Sequence, residues 1–139
     1  MELADTSAWA WSRRADQPLA RWAFDQRLEI GLIATCDMVR LELLYSARSV
    51  REFDTLELRL SALPGPAIGV REWKRALSVY RGLAARGGAH QRSVKHADLL
   101  VAAAAECAGI PVLHYDEDFE RIAQVTGQPH RWLAPRGSL

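Results

Sequence analysis

The sequence of 139 residues is short of several things, and each shortage excludes something. It has two cysteines, Cys36 and Cys107, without metal-ligand spacing. That excludes a disulfide scaffold and a zinc ribbon and fits plain thiols in a reducing compartment. It has no long apolar run: Leu99 to Ala105 falls far below the ~20 residues of a membrane span. It has no charge excess, with 18 Lys+Arg against 17 Asp+Glu and a net charge of +1. No global field therefore advertises a polyanionic partner, although a local patch can still bind one. Lysine is nearly missing, present only at Lys74 and Lys95. Glu2 and Asp5 interrupt the opening apolar residues and no basic stretch precedes them, unlike a signal peptide. Repeats, low-complexity tracts and linkers are absent too. We therefore expect one domain spanning residues 1–139, soluble, cytoplasmic and without a membrane role.

What is present is an alternation of short apolar runs with helical periodicity. Met1–Ala4, Ile30–Ala34 and Ile110–His114 suit strands, with Ala67–Val70 and Trp132–Leu133 as smaller candidates. Between them lie Thr6–Arg13, a helix from Pro18, and a helix capped by Thr35 that carries Met38, Leu41, Leu44 and Tyr45. Val50–Leu63, Arg71–Arg86, Val94–Ala108 and Phe119–Val125 complete the helices, with Gly87 and Gly109 as stop signals. Such an order packs as an α/β domain around a short-stranded parallel sheet. In open sheets of this kind the ligand site lies beyond the carboxyl ends of the strands, where the strand order reverses.

Acidic residues stand at those positions. Asp5 follows the first strand, and Asp116 the strand Ile110–His114, with Asp118 two residues on. Glu42 and Asp98 interrupt helices that otherwise bury apolar faces. Each has an ordinary explanation alone: Asp5, Asp116 and Asp118 as helix caps, Asp98 in a favourable first turn, Glu42 paired with an arginine. Jointly they are harder to dismiss. Two carboxylates ~4 Å apart repel by about 4 kcal/mol at an effective dielectric near 20. A cluster of three or four is tolerable only if cations or protons neutralise it. Hard divalent cations, Mg²⁺ or Mn²⁺, are the natural partners of an all-oxygen donor set.

These motifs resemble a known family. Asp5-Thr6-Ser7-Ala8-Trp9 after an N-terminal strand is similar to the opening of a PIN domain. Glu42 within Val39–Leu44, Asp98 within Lys95–Ala103, and His114–Phe119 resemble its later acidic motifs, in order and across nearly the whole chain. The length suits the VapC-type toxins. The resemblance implies a three-layer α/β/α sandwich, a Mg²⁺- or Mn²⁺-dependent endoribonuclease and a small cognate VapB-type antitoxin, in a family whose members commonly form homodimers. It also implies Asp5, Glu42, Asp98 and Asp116 as catalytic acids. Asp5, Asp98 and Asp116 hold a first ion in this reading. Glu42 helps hold a second or orients the attacking water, and Asp118 is an additional ligand, direct or through water. In-line attack by water leaves a 5′-phosphate and a 3′-hydroxyl.

Around these acids, Thr6 and Ser7 either cap a helix or turn hydroxyls to the site. With Arg92 and Lys95, in the basic stretch Arg86–His96, they are candidates for RNA contact. Tyr45 shares the face of Glu42 and fits a core position better than a stacking platform. Trp11 and Trp22 are candidate antitoxin anchors, and an antitoxin arginine among the carboxylates would replace the metal electrostatically. Two other readings compete: a catalytically silent PIN-like module that binds RNA or protein, and a receiver-like phosphoacceptor domain. The second needs an acidic pair after the first strand, where Asp5 stands alone.

Overall fold

The computed structural model describes residues 1–88 and 90–139, with the side chains of 90 and 91 set aside. Ala89 and those two side chains, part of the basic stretch Arg86–His96, thus lie outside the described residues. In chain order the elements are β1 (Glu2–Ala4), α1 (Thr6–Ser12), α2 (Pro18–Glu29), β2 (Ile33–Ala34), α3 (Asp37–Leu44) and α4 (Val50–Ser61). Then come α5 (Val70–Ala85), α6 (His90–Ser93), α7 (His96–Ala108), β3 (Val112–His114), α8 (Asp118–Thr126) and β4 (His130–Trp132). The strands form one sheet in the order β2-β1-β3-β4, with every pairing parallel.

Three layers follow from the period-two alternation of the strands. Leu3, Ala34 and Val112 point to one side, into a core with Ala76, Val79 and Leu83 of α5, Leu99–Ala105 of α7, and Phe119 and Ile122 of α8. Their neighbours Ala4, Ile33 and Leu113 point to the other, against Ala8 of α1 and Ala20 and Phe24 of α2. Strands buried on both faces need no polar residues, which is why their runs read as continuously apolar. The order of strands reverses between β1 and β3, because β2 extends the sheet on one side of β1 and β3 and β4 on the other. That reversal sets a crevice at the carboxyl ends of β1 and β3.

Several expected boundaries move. Ala67–Val70 is not a strand; Val70 opens α5 and Gly69 precedes it as N-cap, with the Glu72 carboxylate on its N–H at 2.9 Å. Thr35 does not cap α3, whose N-cap is Cys36. Its N–H instead donates to the Pro64 carbonyl at 2.9 Å, so Pro64-Gly65-Pro66 covers the edge of β2. A Cβ on Gly65 would lie 1.5 Å from the Thr35 carbonyl oxygen, and glycine is required there by space alone. Val94 is buried ahead of α7, which starts at His96. The last strand is His130–Trp132, two residues earlier than expected. Tyr45 is 92 % exposed rather than core, because it caps the end of α3 beyond the last packed turn. Trp22 is exposed on α2, whereas Trp11 is half-buried edge-on to Tyr115 at 5.1 Å. Among the described residues no helix is long and apolar enough to cross a membrane.

Candidate active site

The crevice is built from the ends of the two central strands. Asp5, one residue past β1, donates its N–H to the Leu113 carbonyl of β3 at 2.9 Å. It caps α1, its Oδ2 accepting the Ser7 N–H at 2.9 Å and the Ser7 hydroxyl at 2.6 Å. The same Ser7 oxygen accepts the Tyr115 N–H at 2.9 Å, tying the exit of β1 to the exit of β3. Ser7 has one hydroxyl proton and it goes to Asp5, so it is not free for a phosphate at the same time. Thr6 donates to Glu42 Oε1 at 3.0 Å, linking α1 to α3 and bringing the second acid to the crevice rim. The cap reading and the site reading of Asp5 are therefore compatible: one oxygen holds the helix, and the other, Oδ1, is buried with no partner.

Asp98 lies in the first turn of α7, 4 % exposed, and its Oδ2 is likewise buried without a partner. Ligand oxygens of Asp98, Asp116 and Asp118 lie within 4.8 Å of one another. Asp5 falls outside that set of three, which joins Asp118 rather than Asp5 to Asp98 and Asp116. Its influence is electrostatic: burial first, then the neighbouring Asp5, push the Asp98 carboxyl up to about 8, with Asp116 and Asp118 adding to the effect. Burial also raises Asp5 against the opposing hydrogen bonds from Ser7, with Glu42 adding repulsion. Two cations partly offset the charge. Lys95 Nζ lies 3.0 Å from Asp116 Oδ2, and Arg121 lies 2.5 Å from Asp118 Oδ1. The bond to Asp116 holds the Lys95 ammonium above its usual range. Arg92 is exposed on α6, just ahead of Lys95.

The chemistry is that of a hard-cation site: the donors are carboxylate oxygens, and two are desolvated and unpartnered. An oxygen buried without a partner is costly unless a ligand or proton satisfies it. The residues present thus fit a divalent metal. Beside them a groove of about 730 Å³ opens between α1, α3 and α4, lined by Trp9, Leu43, Leu56 and Leu60, with Thr6 and Glu42 at its site end. Sequence reasoning missed this groove and also His114, which is fully buried and accepts the Asp116 N–H on Nδ1 at 3.1 Å. The signal for His114 was available: a histidine at an inward position of an apolar strand must find partners.

Comparisons with known proteins agree with this geometry. The PIN domain model matches residues 3–125. Ribonuclease VapC18 of Mycobacterium tuberculosis is 47 % identical over 135 residues, 97 % of this chain and 96 % of its own. Ribonuclease VapC51 of the same organism is 42 % identical over 137 residues, 99 % and 96 % of the two chains. Among solved structures, the DNA-bound VapBC of Salmonella typhimurium superposes with a TM-score of 0.73 at 19 % identity, covering 96 % of this chain and all of that one. The DNA-bound FitAB complex gives 0.68 at 12 %, over 96 % and 95 %, so the fold is shared well beyond sequence likeness. The chain belongs to the PIN domain family and, within it, to the VapC ribonucleases.

Proposed function

We propose that this chain is the toxin of a toxin–antitoxin pair: an endoribonuclease that hydrolyses RNA phosphodiester bonds with Mg²⁺ or Mn²⁺ and is neutralised by a cognate VapB-type antitoxin. The observation that carries the reading is the pair of buried, partnerless oxygens, Asp5 Oδ1 and Asp98 Oδ2, beside Asp116 and Asp118 at the reversal of strand order. A catalytically silent module has no use for such a cost. We take residues 1–139 as one nuclease domain, since β4 pairs with β3 and Leu133 is buried in the core beneath α1 and α2.

Asp98, Asp116 and Asp118, with Asp5 behind them, would hold the ion. When bound it supplies positive charge that neutralises the scissile phosphate and acidifies the attacking water. Glu42, fixed by the Thr6 hydroxyl, is placed to orient that water and accept its proton. Lys95 offers a cation to the phosphate as it leaves Asp116, and Arg92 grips the RNA backbone outside the acidic pocket. Water attack in line would leave a 5′-phosphate and a 3′-hydroxyl.

The apolar groove beside Glu42 is the surface we assign to the antitoxin, the kind of partner found in the structurally similar VapBC toxin–antitoxin systems. Trp9 of α1, Arg13 at its C-terminal cap and Leu60 of α4 line it, so a peptide there would close the site from α1 to α4. Trp11 and Trp22 lie outside its lining, which moves the anchor role to Trp9. Action in the cytoplasm follows from an RNA substrate and fits two free thiols. The test is cleavage of total cellular RNA by the purified chain, with 5′-end mapping. Cleavage that needs Mg²⁺ or Mn²⁺, stops with EDTA and is lost in Asp98→Ala supports the reading; a fully active Asp98→Ala protein refutes it.

A further inference from the structure

We propose that His114 is a positioning residue for the acidic site, holding the turn that carries Asp116 and Asp118 through a hydrogen bond from the Asp116 N–H, with His130 supporting the required tautomer from the other side of the ring. This rests on the assignment of Asp116 to the metal site made above. His114 ends β3, is wholly buried, and packs in tilted ring contacts against Phe119 and Trp132 at centroid distances of 5.0 and 4.8 Å. Its Nδ1 accepts the Asp116 N–H at 3.1 Å, and its Nε2 lies 2.9 Å from His130 Nδ1.

Those two contacts leave one arrangement of protons. A nitrogen that accepts from an amide N–H carries no hydrogen, so Nδ1 is bare and the neutral ring bears its proton on Nε2. Nε2 must then donate to His130 Nδ1, which is bare in turn, and His130 carries its proton on the far nitrogen.

What the ring holds is the geometry of the site. Asp116 Oδ1 accepts the Asp118 N–H at 3.0 Å and Oδ2 faces Lys95 at 3.0 Å. Rotation of the peptide preceding Asp116 would therefore displace two of the three clustered carboxylates together. A leucine or phenylalanine would fill the space of His114 but leave that buried N–H without an acceptor. Groups that orient ligating side chains from outside the ligand set commonly change metal affinity by about 10–100-fold when lost.

Two substitutions separate the roles of the ring nitrogens. In His114→Asn the amide oxygen stands where Nδ1 stood and keeps the acceptor, while the link to His130 is lost. In His114→Gln the amide reaches the Nε2 position and keeps His130, while the acceptor is lost. His114→Asn leaves the larger void, so a purely structural role predicts the greater loss there. Mn²⁺ alone is titrated into each protein by electron paramagnetic resonance, with Tm in parallel. We expect His114→Asn to stay within about threefold of the parent affinity and His114→Gln to lose about tenfold or more at similar Tm. Should His114→Asn fail to fold, His130→Asn, which keeps the acceptor for Nε2–H, is compared with His130→Ala; only the alanine weakens Mn²⁺ binding. Ring ¹⁵N spectra of the parent protein should show Nδ1 of His114 without a proton. Equal Mn²⁺ affinities within either pair, or a protonated Nδ1, overturn the inference alone. A parent chain that binds no Mn²⁺ overturns the metal reading and this inference with it.

Discussion

Glu2 and Asp98 are carboxylates buried to similar degree, 7 % and 4 % exposed, and the fold treats them in opposite ways. Glu2 accepts two bonds from Arg131, at 2.6 and 2.9 Å, and lies 3.2 Å from Arg27. Burial pushes its carboxyl up, but the Arg131 bond and the two guanidinium charges outweigh this and hold it below the usual range. Asp98 has Asp5, Asp116 and Asp118 around it and one oxygen with no partner; its carboxyl is pushed up to about 8. Both groups lie against the same sheet, so burial alone does not distinguish them. Arginine is abundant in this chain, with 16 copies, and could have been placed at either end. Where the protein needs only stability it closes the charge with arginine; where it leaves the charge open, an external cation has a place to bind.

The contrast breaks most visibly in activity. Asp98→Asn and Asp5→Asn should each reduce RNA cleavage by about a thousandfold or more with the fold retained by circular dichroism. Glu2→Gln should leave cleavage within about twofold. Stability moves the other way. Glu2→Gln leaves Arg131 without its partner and should cost about 2 kcal/mol in urea unfolding, discounted because the guanidinium is more than a third exposed. Asp98→Asn removes an uncompensated charge and should stabilise the metal-free chain at pH 8.5 by about 1–3 kcal/mol.

The pH dependence sharpens the same point. Between 3.8 and about 8 the folded chain holds a proton on Asp98 that the unfolded chain has lost, so stability falls as pH rises. His114 opposes this between about 4 and 6.5, where the unfolded chain binds the proton that the folded ring refuses. Above 6.5 that opposition ends, and the raised carboxyls of Asp98 and Asp5 act in the same direction. The Tm of the metal-free chain should therefore decline from pH 6.5 to about 8.5, and the decline should be clearly smaller in Asp98→Asn. Glu2 has the reverse sign, its contribution present above 4.5 and lost on acidification. The smallest effect concerns RNA grip. Arg92→Ala should weaken RNA binding and lower its salt slope by about 0.7, as for one fewer contact to a single strand. An unchanged slope removes Arg92 from the interface.

Much of this was legible from residue order, and the rest fails for identifiable reasons. The strands ending near Asp5 and Asp116 are readable because apolar runs stop at acids, and the parallel sheet follows from their alternation with helices. β2 has only two residues, too few for alternation to fix its bounds, and Thr35 is drawn away from the helix by Pro64 across the chain. Tyr45 keeps the helical spacing of a core residue but falls past the end of α3, where no layer covers it. The acids themselves are visible in sequence; which of them approach within one ion's reach is not. Asp118 joins Asp98 and Asp116 because its N–H folds back onto Asp116, a local turn that strand patterns do not encode. The link from His130 through His114 to Asp116 spans β3 and β4 and required their register.

The open carboxylates exist to receive a divalent ion. Calorimetric titration of Mn²⁺ into the antitoxin-free chain at pH 7, repeated in buffers of different ionisation enthalpy, counts the protons released on binding. Saturable binding with release of about one proton or more, displaced from Asp98 and its neighbour Asp5, is expected, with neither binding nor release in Asp98→Asn. Binding with no proton released, or equal binding by Asp98→Asn, would contradict this.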